Sequence, residues 1–420
     1  MGLKNRFRIF LLFLAVIGPG IITANVDNDA GGIATFSVAG AHFGLSLLWT
    51  LIPITILLGM TQEMCARMGA ITGKGLSDLI RENFGIRITV IVMIGLVIAN
   101  FSNAVADVAG IAAASAIFGL SKYIVIPIIL LLSSYFVVHF NYKIFEKCFL
   151  VMLLFYVAYI FSGFIAKPHW GDVMKATLVP HFNFTGPYLF ILVALIGTNI
   201  TPWMQFFLQS TVVEKGIREE NYIYSKIEVW LGAITTDIVS FFVIVTCAVI
   251  LFAAGVHIND AADAAAALGP LAGKYASFLF AVGLFGASLF GAIILPISTA
   301  YSVTEGIGWE SGLNKKFKEA PEYYTIFLAI FILSGALILI PGLPLIPIML
   351  VSQVINGILL PLILIPMLFL TSNKKIMGIH TNSFFFNTIA WVGCIILILL
   401  SLLLTIVTLL PKYGKFIGIV

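Results

Sequence analysis

Eleven stretches of this chain are apolar over lengths that cross the hydrocarbon core of a bilayer, and that constrains the fold more than any motif. A window of about 19 residues places them near 9–38, 43–68, 86–119, 122–140, 144–166, 186–212, 226–255, 271–307, 322–341, 343–371 and 385–410. The Ser121-Lys122-Tyr123 link and the Pro341-Gly342-Leu343-Pro344 turn separate spans that would otherwise merge. Charged residues make up only 10% of the 420, against about 25% in soluble domains. A soluble fold of this size would lack a charged surface, and disorder is excluded because there is far too much to bury. The net charge of +4 is small and scattered, which argues against nucleic acid as a partner. The expected class is an all-α polytopic membrane protein with the lipid bilayer as its surroundings.

Loop charges set the expected orientation. With the N-terminus inside, 17 of the 23 Lys and Arg residues fall on the cytoplasmic side, among them Arg67, Lys74, Arg81, Lys226 and Lys374. Such a bias predicts a cytoplasmic N-terminus, an extracellular C-terminus and a place in the cell membrane. The basic start (Lys4, Arg6, Arg8) before Ile9–Ile17 has the look of a signal peptide, but the apolar stretch runs on past Gly18-Pro19-Gly20 without a small-x-small cleavage site. A retained first helix is expected. Cys65, Cys148, Cys247 and Cys394 lie in or beside apolar runs without CxxC spacing, and read as small buried hydrophobes.

Two spans are interrupted in the same way. Span one carries Gly18-Pro19-Gly20 and then the polar knot Asn25-Val26-Asp27-Asn28-Asp29-Ala30-Gly31-Gly32; span six carries Gly197-Thr198-Asn199-Ile200-Thr201-Pro202. They are five spans apart, and an odd offset reverses orientation in the membrane. Paired discontinuous helices in two inverted halves are the sequence pointer to a secondary transporter with a central site. One transporter domain over 1–420 is expected, with repeats near 9–166 and 186–371 and an extra helix near 385–410. Unwound backbone at that depth survives only where protein or a wet cavity satisfies it.

Asp27 and Asp29 sit in the first knot, and a charge near the bilayer centre costs roughly 2.5–3.5 kcal/mol on insertion scales. Spans one and six, apart from the basic N-terminal flank, offer no Lys or Arg to pair with them, so a transported cation is the expected partner. Capping of the second half-helix is the competing role, and Asp27 is the better candidate for it. Asn28, Thr198, Asn199, Thr201 and freed carbonyls such as that of Val26 are hard oxygen donors suited to Mg²⁺ or Mn²⁺. Trp203 and Met204 read as packing. All six histidines fall at span ends or in loops, and no phosphate loop, nucleophile elbow or HxxxH supports an enzyme or an ATP-driven pump. No resident cofactor is expected. Asp107 and Asp237 either line the pathway or sit in helix–helix hydrogen bonds. Gln353 and Asn356 share one helical face, and Glu305 belongs to the inner loops.

With these residues in view, the chain resembles the Nramp family of divalent-metal transporters over nearly its whole length. Gly18-Pro19-Gly20 and Asp29-Ala30-Gly31-Gly32 resemble the family's Asp-Pro-Gly-Asn motif. Ala39-Gly40-Ala41-His42-Phe43-Gly44, Leu47-Leu48-Trp49, Ser352-Gln353-Val354, Leu360-Pro361, Ile365-Pro366 and Met377-Gly378 continue the likeness. The resemblance implies the inverted five-helix-repeat fold shared with the amino-acid transporter LeuT, and a metal site between broken helices one and six. The departures are specific. Gly32 replaces the family's ligand asparagine, and Thr201-Pro202-Trp203 replaces Met-Pro-His, with Met204 one residue on as an alternative sulfur. Gln209 stands near a second family histidine. Asn103 and Ala106 fall where the family carries acidic residues for proton transfer, and the ninth helix lacks the expected arginines. This combination is similar to the Nramp-related magnesium transporters, in which Mg²⁺ and Mn²⁺ uptake is not coupled to protons. Carried over by position, Asp29, the Val26 carbonyl, Asn199, Thr201 and Gln353 surround the ion, with Asp27 and Thr198 beside them. The rival expectations are a proton-coupled Mn²⁺/Fe²⁺ symporter with a path rebuilt from Asp27, Asp107 or Asp237, and an organic-solute carrier, such as one for an amino acid, on the same fold.

Overall fold

A computed structural model describes residues 28–139, 158–269, 273–310, 312 and 315–409. The principal helices are α1 (Ala30–Phe43), α2 (Leu51–Thr72), α3 (Leu76–Ile117), α4 (Lys122–His139), α5 (Trp170–Leu178), α6 (Gly186–Asn199), α7 (Pro202–Glu214), α8 (Tyr222–Cys247), α9 (Ala276–Ile307), α10 (Pro321–Ile338), α11 (Leu345–Ser372) and α12 (Phe384–Leu409). Among the described residues, eight helices are long and apolar enough to cross a membrane, taking α6 and α7 as one, and Lys122–Val138 is a shorter apolar one. They match the expected spans two to four and six to eleven. Spans one and five fall largely outside the described residues, as does Cys148. No strand occurs among the described residues.

Sequence windows missed two features. The third span begins ten residues early, at Leu76, because a kink at Gly85 (φ 76°) lets Leu76, Leu79 and Ile80 bury themselves before the apolar run starts; that backbone conformation is open to glycine. The amphipathic α5 lies in a connection that reads as a loop. Its neighbourhood is tied down by Trp49 Nε1, which donates to the His181 carbonyl at 3.0 Å. Elsewhere prolines sit inside spans, at Pro127, Pro296, Pro361 and Pro366, which packed membrane helices tolerate because neighbours satisfy the freed carbonyls.

Among the described residues, the most extensive helix contact is that of α3 with α9, and α11 packs on both α3 and α6. Alpha-helix α1 lies against α3, α6, α8 and α11. Small residues permit these approaches: a Cβ at Gly110 would stand 2.3 Å from Ala30 Cβ, and one at Gly357 2.7 Å from the Val193 carbonyl. Close backbone packing of this kind substitutes for the hydrophobic drive that helices lack in lipid. Cys65, Cys247 and Cys394 are buried and unbridged.

Candidate metal site

The second interruption is laid bare by backbone geometry. Between α6 and α7, Ile200 (φ −125°, ψ 70°) and Thr201 (φ −76°, ψ 144°) leave the helical region. Proline at 202 has no N–H, so the Thr198 carbonyl has no helical donor four residues on. Asn199 folds its Nδ2 back onto the Leu195 carbonyl (2.7 Å), which leaves its buried Oδ1 without a hydrogen-bond partner. The C-terminal, negative end of α6 therefore presents oxygen to the break.

The first interruption presents the opposite pole. Asp29 is the N-cap of α1: its Oδ1 accepts from Gly32 N at 2.8 Å. The capping role expected of Asp27 thus belongs to Asp29, because the helix starts at Ala30 and only the residue before it reaches the third amide. Asp27 and Val26 lie outside the described residues. A second carboxylate joins the same helix end from α3, where Asp107 Oδ1 accepts from Ala30 N at 3.3 Å and Oδ2 is buried without a partner. Both carboxylates thus sit on first-turn amides of the same helix end. Neither has an ion-pair partner among the described residues. A helix N-terminus supplies roughly half a positive charge, so two ionised carboxylates there remain short of about one and a half.

Gln353 knits the two breaks together. A Cβ at Gly31 of α1 would lie 1.8 Å from its Nε2, and one at Gly197 of α6 would lie 2.0 Å from its carbonyl oxygen. Its Oε1 accepts from Asn356 Nδ2 at 2.8 Å, and Asn356 exchanges amide hydrogen bonds with Asn103 at 2.8 and 3.0 Å. Asn28, Asp29, Asp107, Thr198, Asn199, Thr201 and Gln353 are all buried, Asp29 being the most exposed at 5%. Thus Gly31, two residues past the Asp29 cap, Gln353, and Gly197, two residues before Asn199, come together, with Thr201 across the same break. Trp203 and Met204 are buried on α7, Trp203 packed against Phe207 with ring centres 5.8 Å apart. Gln209 donates to the Lys74 carbonyl at 2.9 Å, away from the break. From the sequence, Asp107 either lines the pathway or sits in a helix–helix hydrogen bond. The available signal was the polar stripe Asn100, Asn103, Asp107, which falls on one face of α3.

Comparison with known proteins settles the family. The sequence matches the model for Natural resistance-associated macrophage protein-like (Nramp) proteins over residues 20–407. The chain belongs to the Nramp family. It is 25% identical over 423 residues to the divalent metal cation transporter MntH of Bacillus subtilis, covering 97% of this chain and 95% of that protein. The fold is that of the Eremococcus coleocola manganese transporter (TM-score 0.77, 21% identity, 94% of this chain and 87% of that one). It extends to MhsT, solved in complex with L-phenylalanine (TM-score 0.57, 13% identity, 94% and 97%). The fold implied by the resemblance is therefore the one found: an all-α, multi-pass membrane protein of LeuT-like architecture, two inverted five-helix repeats with broken helices one and six and an eleventh helix beyond them.

Proposed function

We propose that this chain is a cell-membrane carrier that imports divalent metal ions, Mg²⁺ first and Mn²⁺ beside it, by alternating access and without proton coupling. The observation that carries the reading is the pair Asp29 and Asp107 at the N-terminus of α1, unmatched by any protein cation among the described residues. One divalent ion offsets the two carboxylates, and the helix end adds roughly half a positive charge more. Asn199 Oδ1, the Thr198 carbonyl, Thr201 and Gln353 add neutral oxygens; the Val26 carbonyl and Asp27 complete the proposed set from the chain before α1. Oxygen donors suit Mg²⁺, which keeps part of its water, and Gly32 and Thr201 in place of larger ligands leave room for it. Relatives named as divalent metal and manganese transporters support the substrate class. Because the site residues are buried, α1, α6 and α7 must move against α3 and α9 to open it to either side.

Membrane potential alone suffices to drive such uptake. A divalent cation moving inward gains roughly 4.6 kcal/mol per 100 mV, enough for about a thousandfold accumulation. A cytoplasmic N-terminus and an extracellular C-terminus accord with the loop charges.

A second reading rests on Asp107 itself. A carboxylate beside Asp29 can hold a proton that metal binding displaces, which would make the carrier a symporter for Mn²⁺ or Fe²⁺. Proteoliposomes under an inside-negative potential, with Mg²⁺ entry and lumenal pH recorded together, separate the two. The proposal expects Mg²⁺ entry with no protein-dependent acidification. Acidification that tracks metal entry, or Mn²⁺ entry with Mg²⁺ excluded, would overturn it in favour of symport.

A further inference from the structure

At the far end of α1 from Asp29, two imidazoles meet that the central site does not use. Alpha-helix α1 ends at Gly44 (φ 58°), and a Cβ there would touch the Phe252 ring. The π turn Ala248–Phe252 that closes α8 is followed by Gly255 N and Val256 N bonded back to the Phe252 and Leu251 carbonyls. This brings His257 onto His42, with ring centres 4.8 Å apart and planes at 76°. Both rings stand on fixed backbone. Ile258 is buried, and Asp260 and Asp263 form a reciprocal capping box immediately after it. His42 Nε2 is buried and has no hydrogen-bond partner.

The spacing has a chemical meaning. An imidazole bound through nitrogen at about 2.1 Å holds its ring centre about 3.2 Å from the ion, so two tetrahedral ligands stand about 5 Å apart. We propose that His42 and His257 form a peripheral site for an imidazole-preferring transition-metal ion of the Zn²⁺ class, distinct from the oxygen-lined central site. The thirteen residue steps from Asp29 to His42 separate the two by roughly 20 Å of helix. No group of three His, Cys, Asp or Glu residues able to hold a metal occurs among the described residues, so water completes the shell and the site stays open and exchangeable. Imidazole suits Zn²⁺, Cu²⁺ and Ni²⁺, whereas Mg²⁺ prefers oxygen. A bound ion ties the end of α1 to the α8–α9 connection, and therefore restrains a helix that carries the central Asp29. Zn²⁺ at this site slows transport of the central ion.

The test uses the full-length protein. Zn²⁺ is titrated calorimetrically into Asp29→Ala protein, where the central site is disabled, and then into the same protein with His257→Ala or His42→Phe. The phenylalanine keeps an aromatic ring of similar size at this position and removes the ligand nitrogen. One Zn²⁺ is expected to bind to Asp29→Ala, weakened at least tenfold by either further change. In proteoliposomes of otherwise unaltered protein, His257→Ala should leave basal metal entry unchanged and raise the inhibitory Zn²⁺ concentration at least tenfold. Absence of Zn²⁺ binding, or binding and inhibition indifferent to both substitutions, overturns the proposal. Failure of the central-site reading shows separately, as retained transport in Asp29→Ala.

Discussion

The centre of the molecule and its Arg67 end treat carboxylates in opposite ways. At the Arg67 end, Glu63 lies 3.5 Å from Arg67 and accepts from Tyr222; Asp78 lies 2.7 Å from Arg81, and Glu219 2.7 Å from His380. Arg67 is further engaged by the His380 carbonyl at 2.9 Å and by Asn382 Oδ1. Glu305 is the partial exception, with Ser210 Oγ 3.3 Å from each of its oxygens, while Arg81 bonds its backbone carbonyl. At the centre, Asp29 and Asp107 accept only from backbone amides of α1 in the described hydrogen bonds. Burying a charge is costly unless it is compensated. The protein compensates the charges at one end from its own side chains and, on the reading proposed above, leaves the central pair to a transported ion. Carboxylates of the first kind hold helices together; those of the second are the ones assigned to the ion in the proposed function.

Substitution should break this contrast most sharply at Asp29. Asp29→Ala is expected to lower metal uptake at least ~100-fold, equivalent to about 2.7 kcal/mol. Alanine also removes an N-cap worth about 1 kcal/mol, so Asp29→Asn is the sharper probe. Asparagine caps as well as aspartate but carries no charge. Its uptake should fall nearly as far while its melting temperature stays close to wild type. Wild-type uptake by Asp29→Asn would falsify the assignment of this residue to the ion. Arg67→Ala should do the reverse. Removing one member of a buried pair typically costs about 3–5 kcal/mol, read as a loss of thermal stability in detergent. Metal affinity at the centre, measured by calorimetry on the folded fraction, should remain unchanged.

The second interruption was legible because its chemistry is local: Pro202 removes a donor at a known place. Of the first, the described residues show the start of α1 at Ala30, capped by Asp29. The identity of the cap was not legible: Asp27 and Asp29 both precede the glycines, and only the exact start of α1 chooses between them. Asp107 was visible as a buried charge, but helical periodicity gives a face without saying which neighbour that face meets. Its contact with Ala30 spans 77 residues of sequence. The same holds for Gln353, whose position was carried by resemblance, while its seat between Gly31 and Gly197 is a fact of packing. His42 and His257, placed at span ends by the sequence, meet only because α1 and α8 finish side by side.

Asp107 offers a smaller but more discriminating perturbation than Asp29. Asp107→Asn keeps an acceptor for Ala30 N and removes one of the two central charges. Metal affinity should drop about tenfold, close to 1.4 kcal/mol, with folding largely preserved. If the carrier instead couples metal to protons through this residue, a metal-dependent acidification present in wild type should vanish in Asp107→Asn. Measuring affinity and acidification on the same variant therefore tells a charge-balancing carboxylate from a proton-carrying one.

The weakest effect belongs to the pair that most resembles an ordinary surface. Lys74 and Glu82 are 2.7 Å apart, and their side chains are 47% and 44% exposed. Exposed ion pairs contribute about 0–1 kcal/mol, since water screens the attraction and two long side chains lose freedom. Lys74→Ala should therefore shift thermal stability by less than ~0.5 kcal/mol, and the shift should shrink further as salt is raised. Arg67→Ala, by contrast, should be nearly insensitive to salt, because its partner is buried at 4%. Equal losses from the two variants, or a salt-sensitive loss from Arg67→Ala, would mean that burial does not divide the charges at this end. The contrast with the central carboxylates would then have to rest on their missing cations alone.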